Sequence, residues 1–362
     1  MTKLNKIKIQ GFKSIRDIEF ELQDINILIG PNGAGKSNFI GAFKMLNNIV
    51  DGNLQVYIGK SGGAERLLHF GSYETSSINM KSWFGRNGYS FELEPTEDDS
   101  FVFENETVYF HDKRYDKPYD RFLGSGHKES LLKEKAMGGC KISKHVLSSL
   151  ESWRIYHFHD TSDTAKMKKA ADLNDNSVLR HNASNLSAFL YYLEKKHTEH
   201  FENIVDTIRL AAPFIDRFNL KPLLLAEDKI ELEWKQKGTD AYFNASSLSD
   251  GTLRFICLAT LLLQPNLPTT VLLDEPELGL HPYAITILSE LLKAAATKTQ
   301  VIVSTQSVTL VNQFAPEDIV VVEMEDNETV MSRLSRDKIE GWMEEYALGE
   351  LWEKNIFGGR PK

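Results

Sequence analysis

The octapeptide Gly30-Pro31-Asn32-Gly33-Ala34-Gly35-Lys36-Ser37 constrains this chain more than any other feature, because it sits between the apolar run Ile25-Asn26-Ile27-Leu28-Ile29 and a run with helical spacing. In that strand–loop–helix context G-x-x-x-x-G-K-S is a phosphate loop. Its glycines let the backbone curl so that successive N–H groups face a β-phosphate, its lysine bridges the β- and γ-phosphates, and its serine hydroxyl ligates Mg²⁺. Asn32, Gly33, Ala34, Gly35, Lys36, Ser37 and the adjoining Asn38 are therefore the expected contacts of ATP, with Ser37 on the metal. Stripped of its flanks, the same peptide would be a glycine-rich turn.

A second element lies far downstream, where the apolar run Thr270-Val271-Leu272-Leu273 ends in Asp274-Glu275-Pro276. At the carboxyl end of a parallel strand beside a phosphate loop, Asp274 would hold the Mg²⁺ shell and Glu275 would orient and deprotonate the attacking water. Without the loop upstream, such a pair would be an ordinary strand end. A third element, Ser247-Leu248-Ser249-Asp250-Gly251-Thr252, precedes the apolar run Leu253 to Leu263. Ser249 and Gly251 fall at the start of that helix, where free N–H groups and the dipole favour a phosphate. Plain helix capping is the competing explanation.

These three elements resemble the ABC-type ATPases, and within them the RecF, SMC and OLD-like branch. Lys13-Ser14, in Ile9-Gln10-Gly11-Phe12-Lys13-Ser14, resembles the branch's N-terminal nucleotide contact, and Leu248-Ser249-Asp250-Gly251-Thr252 resembles its signature. Leu278-Gly279-Leu280-His281 stands at the D-loop position, and Ser304-Thr305-Gln306-Ser307 stands where the switch loop carries histidine. Leu348-Gly349-Glu350-Leu351-Trp352 and Gly358-Gly359-Arg360-Pro361 are similar to a group of stand-alone bacterial ATPases. Two departures qualify the resemblance. Asp250 replaces the glycine of the transporter signature and is expected to cap the helix and point away. Gln306 can donate a hydrogen bond to a γ-phosphate but cannot become cationic, which implies slow turnover, below about 1 s⁻¹. The family's Q-loop glutamine has no clear counterpart. Its position falls in Trp153-Arg154-Ile155-Tyr156-His157-Phe158-His159-Asp160. There His159 or Asp160 could sense metal or water, but an alternating strand pair is the favoured reading of His157 and His159, and a zinc-ligand pair is disfavoured because no third ligand lies nearby.

Composition limits the remaining choices. The 362 residues are 41% hydrophobic and 26% charged, enough for a large core, and the net charge of −9 argues against a surface coated for nucleic acid. No run approaches the roughly 20 apolar residues of a membrane span, and the polar start is not a signal peptide, so a cytoplasmic location is expected. Cys140 and Cys257 make no disulfide framework. Strands are expected at Lys6 to Gln10, Asp17 to Leu22, around Ser77 to Phe84, and at Phe101 to Phe103 and Thr107 to Phe110. Lys113 to Gly139 is expected to be a mobile loop, and Thr164 to Phe218 to be helical, with Leu186, Phe189, Leu190, Leu193, Ile204, Ile208 and Leu210 facing inward. The interval from Asn38 to Leu248 has no sustained heptads and cannot build a long coiled-coil arm. Lys166-Met167-Lys168-Lys169 and Lys195-Lys196-His197 are solvated faces or contacts to DNA phosphates. A tail helix with Ile339, Trp342, Met343 and Tyr346 on one face packs on its own domain or docks a partner.

The fold class expected is α/β: an ABC-type P-loop ATPase head with an N-terminal antiparallel β subdomain and an inserted compact helical lobe. One ATPase domain is divided into 1–160 with the phosphate loop, 161–219 as the lobe, and 220–362 with the signature, Asp-Glu strand, switch loop and tail helix. The resemblance implies a dimeric ATP-hydrolysing switch in bacterial anti-phage defence or DNA maintenance. Its ATP sandwich joins Lys36, Ser37, Asp274 and Glu275 of one subunit to Ser249 and Gly251 of another, and it controls a separate effector such as a Toprim-type nuclease. The stretch after Ser307 is too short for a nuclease domain of its own, which needs on the order of 100 residues. A nucleotide-gated scaffold with negligible hydrolysis is the alternative, and a transporter motor a poorer one.

Overall fold

The computed structural model describes residues 2–359 apart from 113, 116 and 344. In chain order, β1 (Lys6–Phe12), β2 (Ile15–Glu21) and β3 (Ile25–Ile29) lead into α1 (Lys36–Asp51) and α2 (Leu54–Ser61). Then come β4 (Ile78–Phe84), β5 (Asn87–Pro95), β6 (Phe101–Phe110), β7 (Tyr119–Gly124), α3 (Leu132–Met137), α4 (Lys141–Leu150) and β8 (Trp153–Tyr156). The middle holds β9 (Ala171–Asp172), α5 (Leu186–Lys196), α6 (Thr198–Ala211), β10 (Ile215–Asn219), β11 (Pro222–Leu223), β12 (Ala226–Ile230), β13 (Glu233–Gln236) and β14 (Tyr242–Asn244). The remainder is α7 (Asp250–Leu263), β15 (Thr270–Asp274), α8 (Pro282–Ala296), β16 (Gln300–Ser304), α9 (Val308–Val311), β17 (Ile319–Glu325), β18 (Glu328–Arg333) and α10 (Leu348–Glu353). The chain forms two units, one of residues 1–153, 268–272 and 315–362, the other of residues 154–267 and 273–314.

In the first unit an antiparallel sheet runs β2-β1-β4-β5-β6-β7, as the alternation of buried and half-exposed residues in β4 requires. The expected strands are all present, with Phe101 to Phe103 and Thr107 to Phe110 merged into β6. The phosphate-loop strand β3 pairs in parallel with β17, Leu28 opposite Val320, and β17 turns back on β18 through Asp326 and Asn327, both at positive φ. Behind α1, Phe43 and Phe84 each lie 5.4 Å from the Trp153 ring, so the helix that follows the loop is seated on a packed aromatic core.

The segment from Lys113 to Gly139 is not the loop expected from its polarity. Leaving Lys113 and Asp116 aside as outside the described residues, it contains β7, paired antiparallel with β6, and α3. Its anchor is the fully buried Glu106, whose carboxylate accepts hydrogen bonds from the Tyr89 hydroxyl at 2.6 Å and the Leu131 amide at 2.9 Å. The carboxylate also lies 2.9 Å from His127 Nε2 and bonds the Ser130 hydroxyl. A buried carboxylate with that many partners ties the segment down at a cost in desolvation that the hydrogen bonds offset.

In the second unit the apolar α7 packs against α6 and α8, and α8 covers β16. Two small antiparallel sheets, β10-β13-β14 and β11-β12-β9, accompany them. Of the stretch read as helical from Thr164, only α5 and α6 are α-helix, and Leu210 is exposed. Before them the Asn185 side chain takes the Arg180 amide at 2.9 Å and gives hydrogen bonds to the carbonyls of Asp175 and Val178, organising a non-helical loop. The tail face from Ile339 to Tyr346 is likewise formed of turns, with Ile339 buried and Trp342 and Met343 exposed; Glu344 lies outside the described residues. The tail's α-helix is α10, and Trp352 Nε1 donates to the Gly359 carbonyl at 2.9 Å; Arg360 and Pro361 lie outside the described residues.

Candidate functional site

The phosphate loop is shaped by its glycines. Gly33 and Gly35 have φ of 83° and 100°, conformations that L side chains rarely adopt, and a Cβ at Gly35 would stand 2.0 Å from Thr329 Oγ1. A Cβ at Gly30 would meet the Val322 carbonyl at 2.1 Å, so the C-terminal hairpin β17–β18 walls the loop. Gly35 is the N-cap of α1 and offers no capping side chain, and the first turn carries no acid. The helix therefore presents N–H groups and a positive dipole end to an anion, with the Ser37 hydroxyl exposed beside them, an arrangement that fits a nucleotide phosphate and its cation. Asn32 and Gly33 are exposed at the loop tip, and Ala34 is buried with its amide on the Pro31 carbonyl at 3.2 Å.

Lys36 is only 5% exposed, and its Nζ donates to the carbonyls of Gly30 at 2.6 Å and Pro31 at 3.0 Å. Its ammonium is folded over its own loop and must swing outward to meet a phosphate. Lys13 has φ of 51°, and burial holds its amine below the usual lysine range. The Ser14 hydroxyl joins the Asn38 amide at 2.7 Å to Thr329 Oγ1 at 2.6 Å, so Ser14 is tied to the first turn of α1. Thr329 escaped sequence reasoning, because only the fold brings residue 329 to residue 35.

In the second unit Asp274 ends β15, and Glu275 follows with φ of 41° and its amide on the Ser304 carbonyl at 2.8 Å. A non-glycine residue in that region is strained. Gln306 Nε2 donates to Glu275 Oε1. The glutamine thus already touches the expected base, a contact that the sequence pattern did not disclose. Beneath it, Glu277 accepts from the Thr305 hydroxyl and, at 3.4 Å, from the Gln306 amide, while its buried Oε2 has no hydrogen-bond partner among the described residues. Burial, reinforced by the charge of Glu275, raises the Glu277 carboxyl above its ordinary value.

Ser249 is the N-cap of α7, its hydroxyl accepting from the Thr252 amide at 3.2 Å. Asp250, expected to cap, is instead the first helical residue and pairs with Lys168 Nζ at 3.5 Å. That pairing and a side chain only 4% exposed remove Lys168 from the basic run proposed for DNA. Gly251 has no room for a Cβ, which would lie 2.2 Å from the Gly279 carbonyl, so the signature turn and the D-loop touch through backbone.

Arg254, one turn further along α7, is 5% exposed and donates to the carbonyls of Phe158 at 2.9 Å and His159 at 3.3 Å. Sequence reasoning missed it because a lone arginine in an apolar helix gives no hint of its acceptors. It fixes the stretch in which His157 and His159 alternate with buried Phe158, and ligand atoms of His157, His159 and Asp274 lie within 4.8 Å of one another. Asp160 turns away and accepts from the Ser162 hydroxyl at 2.7 Å.

A glycine-shaped phosphate loop between a parallel strand and a helix, on a mixed α/β frame with an antiparallel N-terminal sheet, is the fold of an SMC-type head. The family model described as "AAA domain, putative AbiEii toxin, Type IV TA system" matches residues 25–312, and the chain belongs to that family. Among the solved structures that share its fold are two SMC heads. One is an SMC head bound to the C-winged helix domain of ScpA, 16% identical, covering 94% of this chain and 99% of its own with a TM-score of 0.61. The other is an SMC head with an extended coiled coil bound to the C-terminal domain of ScpA derived from Pyrococcus furiosus, 15% identical, covering 95% and 99% with a TM-score of 0.60. No curated protein matches the chain. No helix among the described residues is long and apolar enough to cross a membrane.

Proposed function

We propose that the protein binds and hydrolyses ATP and uses it as a dimerisation switch that controls a separate effector, in anti-phage defence or DNA maintenance. The observation that carries this reading is the Gln306–Glu275 hydrogen bond: a strand-end carboxylate with a strained backbone, held by a switch-loop amide, is the equipment of a water-activating base. The N–H groups at the start of α1 and the Lys36 ammonium bind and orient the triphosphate. Lys13 and Ser14 add nucleotide contacts, and Asn38 holds Ser14 in place. Ser37 and Asp274 would hold Mg²⁺, which would supply charge neutralisation for the phosphates. Glu275 accepts the proton of the attacking water, and Gln306 fixes the carboxylate and offers a neutral donor, so turnover is slow.

The signature supports the dimer. Ser249 and Gly251 sit at a helix start suited to a γ-phosphate, and a head-to-tail pairing supplies them from a second copy. Glu275→Gln removes the base while retaining the binding groups, so it should abolish γ-phosphate release and double the mass seen by light scattering with ATP. Release at the wild-type rate in that variant refutes the assignment of Glu275, and an unchanged mass refutes ATP-driven dimerisation. Wild-type protein that binds ATP without releasing phosphate would favour a nucleotide-gated scaffold.

A further inference from the structure

His157 and His159 flank Phe158 in an extended stretch, so their rings fall on one side while Phe158 is buried on the other. The rings are 6.1 Å apart at an interplanar angle of 31°, and the third ligand that the sequence lacked is Asp274. All three offer ligand atoms within 4.8 Å of one another. Metal–ligand bonds of about 2.1 Å require separations up to about 4 Å, so small side-chain rotations close the set. The backbone is held for this purpose from two directions: the His157 amide donates to the His181 carbonyl at 2.9 Å, and Arg254 grips the carbonyls of Phe158 and His159. A rigid frame behind the ligands lowers the cost of ordering them.

We propose that His157, His159 and Asp274 form a site for a borderline divalent transition metal ion of the zinc class. Two imidazoles and one carboxylate are a donor set that Mg²⁺, which prefers oxygen and retains water, does not select, whereas Zn²⁺ and Co²⁺ take it readily. Three protein ligands leave a fourth position for water or a phosphate oxygen. The site goes beyond the ATPase reading. Because Asp274 is also the carboxylate assigned to Mg²⁺, an ion held by the histidines competes for it and couples metal supply to nucleotide use.

The test uses the full chain without nucleotide, with Co²⁺ and Zn²⁺ as probes in calorimetry and Co²⁺ visible absorption. The expected result is one Co²⁺ per chain, displaced by Zn²⁺ and retained in excess Mg²⁺. His159→Ala, at an exposed position, and His157→Gln should each lower affinity by about 100-fold or more, since losing even an outer-shell partner costs roughly 10- to 100-fold. His197→Ala, in a second close histidine pair, His197 and His200, with rings 6.4 Å apart, should leave affinity unchanged. Circular dichroism of the metal-free variants establishes that they are folded. Absence of Co²⁺ binding in the wild type, displacement by equimolar Mg²⁺, or wild-type affinity in folded His159→Ala would overturn the site. Failure to hydrolyse ATP would leave it standing.

Discussion

Glu275 and Glu277 sit two residues apart yet face opposite demands. Glu275, at a positive φ, has its carboxylate engaged by Gln306, so Gln306→Ala should lower kcat by about 10- to 100-fold while KM stays within roughly 2-fold, the pattern of a contact that matters only as the water is activated. Steady-state ATPase measurements check this, and full activity would exclude a switch role for Gln306. Glu277 is 8% exposed, and its raised carboxyl pKa means that the folded protein holds this proton more tightly than the unfolded chain does. The stability it contributes is complete below about pH 4.3 and is lost as pH rises through the folded value. Glu277→Gln lacks that loss. The melting temperature of the variant minus that of the wild type should therefore be more positive at pH 8 than at pH 5, as read by scanning calorimetry at both.

Among the elements, legibility in the sequence followed locality. β3, α1, α7 and β15 carry their own signals: apolar runs, a glycine loop, and a Ser249 cap three residues before Thr252. The short helix α2 carries none at its start, since Asn53 makes no capping bond, and the anion there comes from Glu129, whose carboxylate accepts from the amides of Leu54 at 2.9 Å and Gln55 at 3.0 Å. Such a cap cannot be read locally. Glu129→Ala should cost about 1 kcal/mol and speed hydrogen exchange at Leu54 and Gln55. The same reasoning covers the missed order between Tyr119 and Met137, held by Glu106, and the missed roles of Arg254 and Thr329. The glycine loop before α1, the Asp-Glu end of β15 and the Ser249 start of α7 were legible as local structure. What was not legible was which of them touch, since Gln306 to Glu275 and His159 to Asp274 are meetings that only tertiary structure arranges.

For the whole molecule, the proposal is that any nucleic-acid cleavage needs another polypeptide. Glu323, which opens the acidic run Glu323-Met324-Glu325-Asp326 at the β17–β18 turn, accepts the Gly359 amide at 3.0 Å and so serves to fasten the tail. Pure protein incubated with ATP, Mg²⁺ or Mn²⁺ and plasmid should leave the plasmid intact on a gel. Cleavage that survives purification and disappears in Glu323→Ala/Glu325→Ala would place a nuclease in this chain.

Ser14 and Thr329, which brace the phosphate loop, are 315 residues apart. At roughly 5–20 residues per second, a ribosome needs on the order of 15–60 s between making one and making the other. Throughout that interval the nascent loop has its glycines but neither the Thr329 hydroxyl nor the Val322 carbonyl behind it. Such a loop is left to fluctuate, so ATP at cellular concentration gains a rigid receptor only late in synthesis, and a fragment stalled before the hairpin should be a poor nucleotide binder however intact its G-x-x-x-x-G-K-S sequence.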